Sequence, residues 1–396
     1  MKRINDLNLN KKRVLIRADL NVPIDSLGKV KSNFRIKAIL PTIEYCLSKG
    51  SSIILMSHLG RPNGVKTTSL SLKPIIKELR FLIKKEIFFS DDCISDKSIE
   101  ISKNLLPGEI HLLENLRFHK EENLNDVSFA EKLSNHGDIY INDAFGTAHR
   151  KHASNIGVLN FFDEAAYGLL CEKELKYFKD QLSDPDKPYT VILGGAKVVG
   201  KIDLIENLMK YADNFLIGGA MANPFLKVKG LNIGSAKVDI ESLDLASKIL
   251  QKAKKLNVNI FLPVDVIACS TVSDDKYLGI KTLQELDNNM FGADIGPKTC
   301  ENFNDILNHS KTVFWNGPVG IAETLQFSKG TKSLASTIKH LKSNSFVSII
   351  GGGDTASTLI NYGFFDSFSH ISTGGGASIH LLSGKLLPAF TEMEKN

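Results

Sequence analysis

Arg13-Val14-Leu15-Ile16-Arg17-Ala18-Asp19, then the amphipathic stretch 34–49, then Ser51-Ser52-Ile53-Ile54-Leu55-Met56-Ser57-His58: this succession decides the fold. Each apolar run is short and continuous rather than alternating, as in a strand covered on both faces. A helical segment between two such runs is the usual connection of parallel neighbours. Further strands are predicted at 86–90, 109–114 and 138–142, then at 189–195, 214–219, 259–265, 311–316 and 346–351. Helical patterns such as 72–82, 127–136 and 330–342 lie between them. The fold class is therefore α/β, with mainly parallel sheets covered by helices.

At 396 residues the chain is long enough for two or three domains, each with its own core. Its 42% hydrophobic and 23% charged residues exclude a disordered, collagenous or disulfide-scaffold protein. A net charge of +5 favours small anions without committing the chain to nucleic acid. The first twelve residues are basic but lead into no apolar h-region, and the longest apolar runs are too short to cross a bilayer. Cys46, Cys93, Cys171, Cys269 and Cys300 are scattered, with no CxxC pair, which suits a reducing cytoplasm and argues against structural zinc. A soluble cytoplasmic protein is expected, without nucleic acid or membrane partners.

Residues 164–182 read as one long helix, stopped by Pro185 and Pro188 before the next strand. The expected domains are 1–165, a connecting helix over 166–183, and 184–385. Two asymmetries divide the halves more sharply. All eight arginines (Arg3, Arg13, Arg17, Arg35, Arg61, Arg80, Arg117 and Arg150) fall in the first 150 residues of an otherwise lysine-rich chain. Arginine kept under that bias suggests planar, bidentate recognition of carboxylate or phosphate, against chance clustering and ordinary surface pairs. Every run of adjacent glycines falls in the second half: Gly194-Gly195, Gly218-Gly219, Gly351-Gly352-Gly353 and Gly374-Gly375-Gly376. The first three sit where a strand meets a helix, where backbone N–H groups can approach a phosphate, or where a tight turn alone needs them. The first half reads as an anion receptor and the second as a nucleotide site.

Gly195-Ala196-Lys197-Val198-Val199-Gly200-Lys201 nearly fits a P-loop, but Ile202 replaces the magnesium-holding serine or threonine. That weakens a P-loop NTPase, and the absence of GxGxxG after any strand weakens a dehydrogenase. Lys197 and Lys201 either reach a phosphate or are surface lysines. Asp354, after three glycines, either caps a helix or holds Mg²⁺ on nucleotide phosphates. In the first half, four segments present polar groups at strand ends: Arg17 to Pro23, Ser57 to Pro62, Glu114 to His119 and Asn142 to Arg150. Open α/β sheets bind ligands at that edge, so a converging basic pocket is the better reading than isolated structural histidines. His149 and His152 have HxxH spacing but no third ligand nearby.

Taken in order, RADLNVP, SHLGRP, LLENLRFHKEE, NDAFGTAHRKHAS, GGAKVVGKI, DIGPKT, FWNGPVG, GGGDTAS and STGGGAS resemble the phosphoglycerate kinase family from Arg13 to about Pro388. The resemblance implies two Rossmann-like domains joined by a long helix, with the tail 386–396 returning to the first. It implies reversible phosphoryl transfer between ATP and 3-phosphoglycerate, giving ADP and 1,3-bisphosphoglycerate, in glycolysis and carbon fixation or gluconeogenesis, with Mg²⁺ and as a monomer.

By position it assigns the phosphoglycerate receptor to Asp19, Asn21, Arg35, His58, Leu59, Gly60, Arg61, Arg117 and Arg150. The nucleotide side falls to Lys197, Lys201, Gly292, Asn316 and Glu323, with Gly352, Gly353, Asp354 and Thr355. Asp354 is the implied metal ligand, and Arg35, Lys201 and Gly375 the groups at the transferred phosphoryl. Gly200, Ala322, His380 and Ser383 depart from the family pattern. The nucleophile would be a carboxylate already ionised at neutral pH, so no general base is needed. Positioning and charge neutralisation remain, completed by domain closure. The rival expectation is a nucleotide-binding module whose arginines dock an acidic partner.

Overall fold

β1 (Arg13–Ala18) pairs in parallel with β2 (Ser52–Met56), from Arg13↔Ser52 to Arg17↔Met56. The computed structural model describes residues 2–272, 276–343 and 345–395. With β3 (Ile87–Phe89), β4 (Ile110–Leu112), β5 (Ile139–Asp143) and β6 (Ala165–Tyr167), the first two strands make a parallel sheet ordered β3-β4-β2-β1-β5-β6. Val14, Ile16, Ile53, Leu55 and Ile141 are fully buried in it, each stabilising the fold by roughly 1.5–3 kcal/mol. The crossover helix Phe34–Ser48 buries Ile36, Ile39, Ile43 and Cys46, the spacing of one helical face. Because the strands run in parallel, the segments leaving β1, β2, β4 and β5 emerge at one edge of the sheet.

The chain divides into two units, Met1–Lys176 with Leu386–Asn396, and Tyr177–Lys385. The second is built on β7 (Tyr189–Leu193), β8 (Asn214–Ile217), β9 (Asn259–Phe261), β10 (Asp265–Cys269), β11 (Tyr277–Thr282), β12 (Phe291–Ile295), β13 (Thr312–Asn316), β14 (Val347–Gly351) and β15 (His370–Ile371). Six form a parallel sheet, β15-β14-β13-β7-β8-β9. The other three form an antiparallel sheet, β11-β10-β12, that sequence reasoning did not foresee. The single strand expected over 259–265 is instead two, separated at Pro263, which has no N–H to give a ladder.

The long helix expected over 164–182 is also corrected. Its first residues are β6, the edge strand of the first sheet, and a helix begins only at Leu169–Leu175, continuing as π-helix over Lys176–Gln181. Tertiary contacts override a helix-compatible Ala-Ala-Tyr run. The Tyr140 N–H donates to the Glu164 carbonyl (3.1 Å) and the Gly168 N–H to that of Asn142 (3.0 Å). Tyr167 donates from its hydroxyl to the Phe390 carbonyl (3.1 Å), tying the C-terminal segment to the first unit. A Cβ on Gly168 would lie 2.2 Å from the Asp143 carboxyl, so the chain passes this point only as glycine. Asp143 then accepts the Cys171 N–H (2.9 Å) and the Thr42 hydroxyl (2.5 Å), fixing the start of the helix.

Candidate active site

In the first unit, Arg17 is the penultimate residue of β1, His58 follows β2, Arg117 lies in the turn Leu116–Phe118 after β4, and Arg35 lies in the first turn of the helix Phe34–Ser48. Arg17 and His58 are both buried, and Arg17 Nη2 donates to His58 Nδ1 (3.2 Å). Burial first, then the charges of Arg17, Arg117 and Arg35, hold the His58 imidazole well below its usual range. His58 is thus neutral, and since an arginine can only donate, its proton sits on Nε2. Arg117 is 6% exposed. It donates from Nη1 to the Gly60 carbonyl (2.8 Å), and its Nε has no partner among the described residues. Burial, then Arg17 and Arg150, push its guanidinium down to about 10.

A polar frame holds these groups. Asp19 pairs with Arg35 (3.1 Å), which also donates to the Asn21 carbonyl (3.1 Å). Asn21 Oδ1 accepts the Gly60 N–H (3.0 Å). Gly60 has φ +63°, and a Cβ there would stand 2.7 Å from a Leu70 methyl, so glycine is required twice over. Leu59 is buried beneath the turn, its carbonyl accepting from Asn115 Nδ2 (2.8 Å). Arg150 is half-buried and Arg61 exposed.

Sequence reasoning missed the layer behind. Arg17 Nε donates to Ser154 Oγ (2.8 Å), whose hydroxyl donates to Glu122 Oε1 (2.6 Å). Glu122 is fully buried, also accepts the Ser154 N–H (2.9 Å), and lies 3.6 Å from His152. Burial would raise its carboxyl, but the nearby His152, the charge of Arg17 and the hydrogen bonds from Ser154 outweigh that and hold it below the usual range. The one available signal was Arg17 itself, a charged residue inside a continuous apolar run.

In the second unit a cavity of about 510 Å³ opens among the turns after β7, β8, β13 and β14 and along β12. Of the expected residues, Gly292, Glu323 and Asp354 line it. Asn223, Lys237 and Phe291 line it too and carried no sequence signal. Lys201 Nζ donates to the Gly194 carbonyl (2.8 Å) and more weakly to that of Asn316 (3.4 Å). Burial pulls its ammonium down to about 8, against the attraction of Asp354. Asp354 is exposed in the first turn of the helix Gly353–Asn361, with no ion pair among the described residues.

The glycine-rich turns prove to be of two kinds. Gly194 and Gly317 pack backbone to backbone: a Cβ on either would fall about 2.1–2.2 Å from a carbonyl oxygen. Gly200, Gly353 and Gly375 have open space instead. Lys197 is exposed on the first turn. Asn316 and Thr355 are buried behind the cavity wall. Asn316 Nδ2 donates to the Gly351 carbonyl (2.9 Å), and Thr355 Oγ1 accepts the Gly317 N–H (2.7 Å). Gly352, φ +93°, would press a Cβ to 2.6 Å from Asn316 Nδ2.

A family model described as phosphoglycerate kinase matches residues 4–385. Curated relatives named phosphoglycerate kinase include one from Chlorobium phaeobacteroides (strain BS1), 44% identical over 392 residues and 99% of both chains. Another, from Finegoldia magna, is 45% identical over 389 residues, 98% of this chain and 97% of that one. Among solved structures, phosphoglycerate kinase from Coxiella burnetii aligns with a TM-score of 0.86 at 36% identity, covering 100% of this chain and 99% of the other. The Pyrococcus horikoshii enzyme aligns with a TM-score of 0.87 at 30% identity, covering 100% and 98%.

Proposed function

This chain belongs to the phosphoglycerate kinase family, and from that premise we propose how its two units share the family's reaction. It is a phosphotransferase: a phosphoryl group passes reversibly between ATP and 3-phosphoglycerate, giving ADP and 1,3-bisphosphoglycerate, a step of glycolysis. The observation that carries the division of labour is Arg117, buried among like charges with an unused donor. The repulsion from Arg17 and Arg150 outweighs the attraction of Glu122 and Asp19, so a further anion would be favourable there. We assign 3-phosphoglycerate to the edge of the first sheet, held by Arg35, Arg61, Arg117 and Arg150, with His58 donating from Nε2. Asp19, Asn21, Leu59 and Gly60 shape that pocket.

ATP or ADP is assigned to the cavity of the second unit, at Gly292 and Glu323, with Lys197 and Lys201 and the open amides at Gly353 directed to phosphates. Asn316, Gly352 and Thr355 support the wall from behind. An exposed, unpaired carboxylate on a cavity wall fits Mg²⁺, which takes one or two carboxylates and otherwise phosphate oxygens and water. Asp354 is that ligand in this proposal. When bound, the ion would neutralise phosphate charge.

The substrate carboxylate needs no base, so the protein's task is positioning and charge stabilisation of a loose, in-line transfer. Arg35 and Lys201 face the transferring oxygens, and the open amide at Gly375 adds a donor. In-line transfer requires both ligands to meet, so the proposal includes closure of the two units when both are bound, which also excludes water. Small-angle scattering should then show a smaller radius of gyration with both substrates, and an unchanged radius would overturn that part. The enzyme is proposed to act as a cytoplasmic monomer; five free cysteines, four of them buried, suit a reducing compartment. A coupled assay with ATP, Mg²⁺ and 3-phosphoglycerate tests the whole. ADP formation dependent on 3-phosphoglycerate is expected, and nucleotide binding without it would leave only a binding module.

A further inference from the structure

The loop that leaves β3 places Asp92 and Cys93 beside His119, the residue preceding the short helix Lys120–Leu124. Among the described residues, these three bring a carboxylate oxygen, a sulfur and a ring nitrogen to within 4.8 Å of one another. Asp92 Oδ2 and His119 Nε2 stand 3.1 Å apart. Around a tetrahedral zinc-class ion, nitrogen and oxygen ligands lie ~3.3 Å apart, and sulfur ~3.5 Å from either. The first pair is already at that spacing, and the sulfur has no more than roughly 1.3 Å to move.

The surroundings hold the three groups in place. Asp92 Oδ1 accepts the N–H groups of Ile94 (2.7 Å) and Ser95 (3.0 Å), which leaves Oδ2 for His119. The Cys93 carbonyl accepts from His136 Nε2 (3.0 Å), and Lys66 anchors the loop at the Asp91 carbonyl (2.7 Å). Such outer contacts orient metal ligands. Asp92, Glu122 and Glu114 bring carboxylates near the Cys93 sulfur, in a chain whose net charge is positive. Cys93 is buried, while Asp92 and His119 are partly exposed, so the triad opens to solvent on one side.

We propose that Asp92, Cys93 and His119 form a binding site for a divalent transition metal of the zinc class, with three protein ligands and one position open to water. One sulfur and one imidazole select a borderline or soft ion over Mg²⁺ or Ca²⁺. The site lies wholly in the first unit and is independent of the phosphoryl-transfer assignments. On binding, the metal forms bonds to the Cys93 sulfur and to His119 Nε2; the thiol proton leaves to solvent, and the Nε2 proton that His119 donates to Asp92 passes by exchange with water to Nδ1, so binding releases a proton.

Calorimetric titration of the metal-stripped full chain with Zn²⁺ tests this, alongside Co²⁺ as a spectroscopic substitute. Expected are one Zn²⁺ per chain, no competition from excess Mg²⁺, and a thiolate-to-cobalt charge-transfer band. Cys93→Ser should abolish the band, and Cys93→Ser, Asp92→Asn and His119→Gln should each weaken Zn²⁺ binding at least roughly tenfold. His119→Gln alters a partly exposed residue, so it remains informative if the buried cysteine variant fails to fold. Absence of saturable Zn²⁺ binding, binding without the thiolate band, or affinity unchanged in His119→Gln would each overturn the proposal.

Discussion

Arg17 Nη2 donates to His58 Nδ1 across 3.2 Å, and that contact fixes which imidazole nitrogen can serve a ligand. Arg17 is itself held through Ser154 to the buried carboxylate of Glu122. Lysine at position 17 would keep one positive charge but lose the fork that reaches His58 and Ser154 together. Arg17→Lys should raise the KM for 3-phosphoglycerate about tenfold and destabilise the protein by about 3 kcal/mol, because Glu122 loses its partner's geometry. Nitrogen-15 chemical shifts of His58 should report loss of the single tautomer. Retention of one tautomer with an unchanged KM would refute this role.

Arg117 should behave in the opposite way with respect to stability. It is buried, with the repulsion of Arg17 and Arg150 outweighing the attraction of Glu122 and Asp19, and among the described residues its guanidinium makes one hydrogen bond, to the Gly60 carbonyl. A buried charge with no ion-pair partner carries a desolvation cost that an apolar residue of similar size relieves. Arg117→Met should therefore leave the melting temperature of the ligand-free protein unchanged or higher. Affinity for 3-phosphoglycerate should fall by ~10²-fold, the loss of a charge-assisted donor. Calorimetry for both quantities decides it; a lower melting temperature with unaltered affinity would reverse the assignment.

The sequence was most readable where one physical demand acted alone. Continuous apolar runs such as Ile53–Met56 can only be buried strands, and the parallel sheets followed from them. His58 and Arg117 stood out because polar groups at successive parallel strand ends face one edge of the sheet, whereas Arg35, on the helix Phe34–Ser48, was pointed to only by the family resemblance. The edge strand β6 was not, because Ala165-Ala166-Tyr167 is neutral between helix and strand, and only pairing with β5 and contact with Phe390 decide it. The antiparallel sheet was hidden for a related reason: β11 is largely exposed and has no buried face to betray it. Glu122 and Ser154 carried no local signal, since their partner Arg17 is more than a hundred residues from Ser154 in the chain.

Lys201 supplies a pH-dependent test of nucleotide binding. Burial lowers its ammonium from 10.5 to about 8. Above that pH the free enzyme loses the proton while the unfolded chain keeps it up to 10.5, so stability should rise with pH over this interval and anion affinity should fall. Phosphate arriving beside Lys201 would restore the charge. ADP binding at about pH 9 should therefore take up a proton, seen as a dependence of the calorimetric enthalpy on buffer ionisation. Lys201→Met should abolish the uptake. Equal proton linkage in both proteins would exclude Lys201 from the phosphate site.

A buried histidine pair in the first unit makes the last prediction. His136 Nε2 faces the Cys93 carbonyl and so must donate, which leaves His136 Nδ1 to accept the Ser102 hydroxyl (2.6 Å). Ser102 Oγ then accepts from His111 Nδ1 (2.8 Å), and His111 Nε2 accepts from Ser90. Every proton in the chain has one place, and neither imidazole has room for a second. Burial accordingly lowers His111 to about 3, with the charge of His136 adding to it, and lowers His136 to about 4. Below pH 6.5 the unfolded chain binds protons that the folded one refuses, so each histidine removes about 1.4 kcal/mol of stability per pH unit as the pH falls. Asp143 and Asp294, raised by burial to about 7, act in the opposite direction over the same interval. The diagnostic is therefore a difference that cancels the carboxyls. Between pH 7 and pH 5 the unfolding free energy of His136→Asn, measured in urea, should improve relative to the parent by about 2 kcal/mol. A constant difference across that range would mean that His136 takes up its proton in the folded protein as readily as in the unfolded chain, and that the hydrogen-bonded chain runs otherwise.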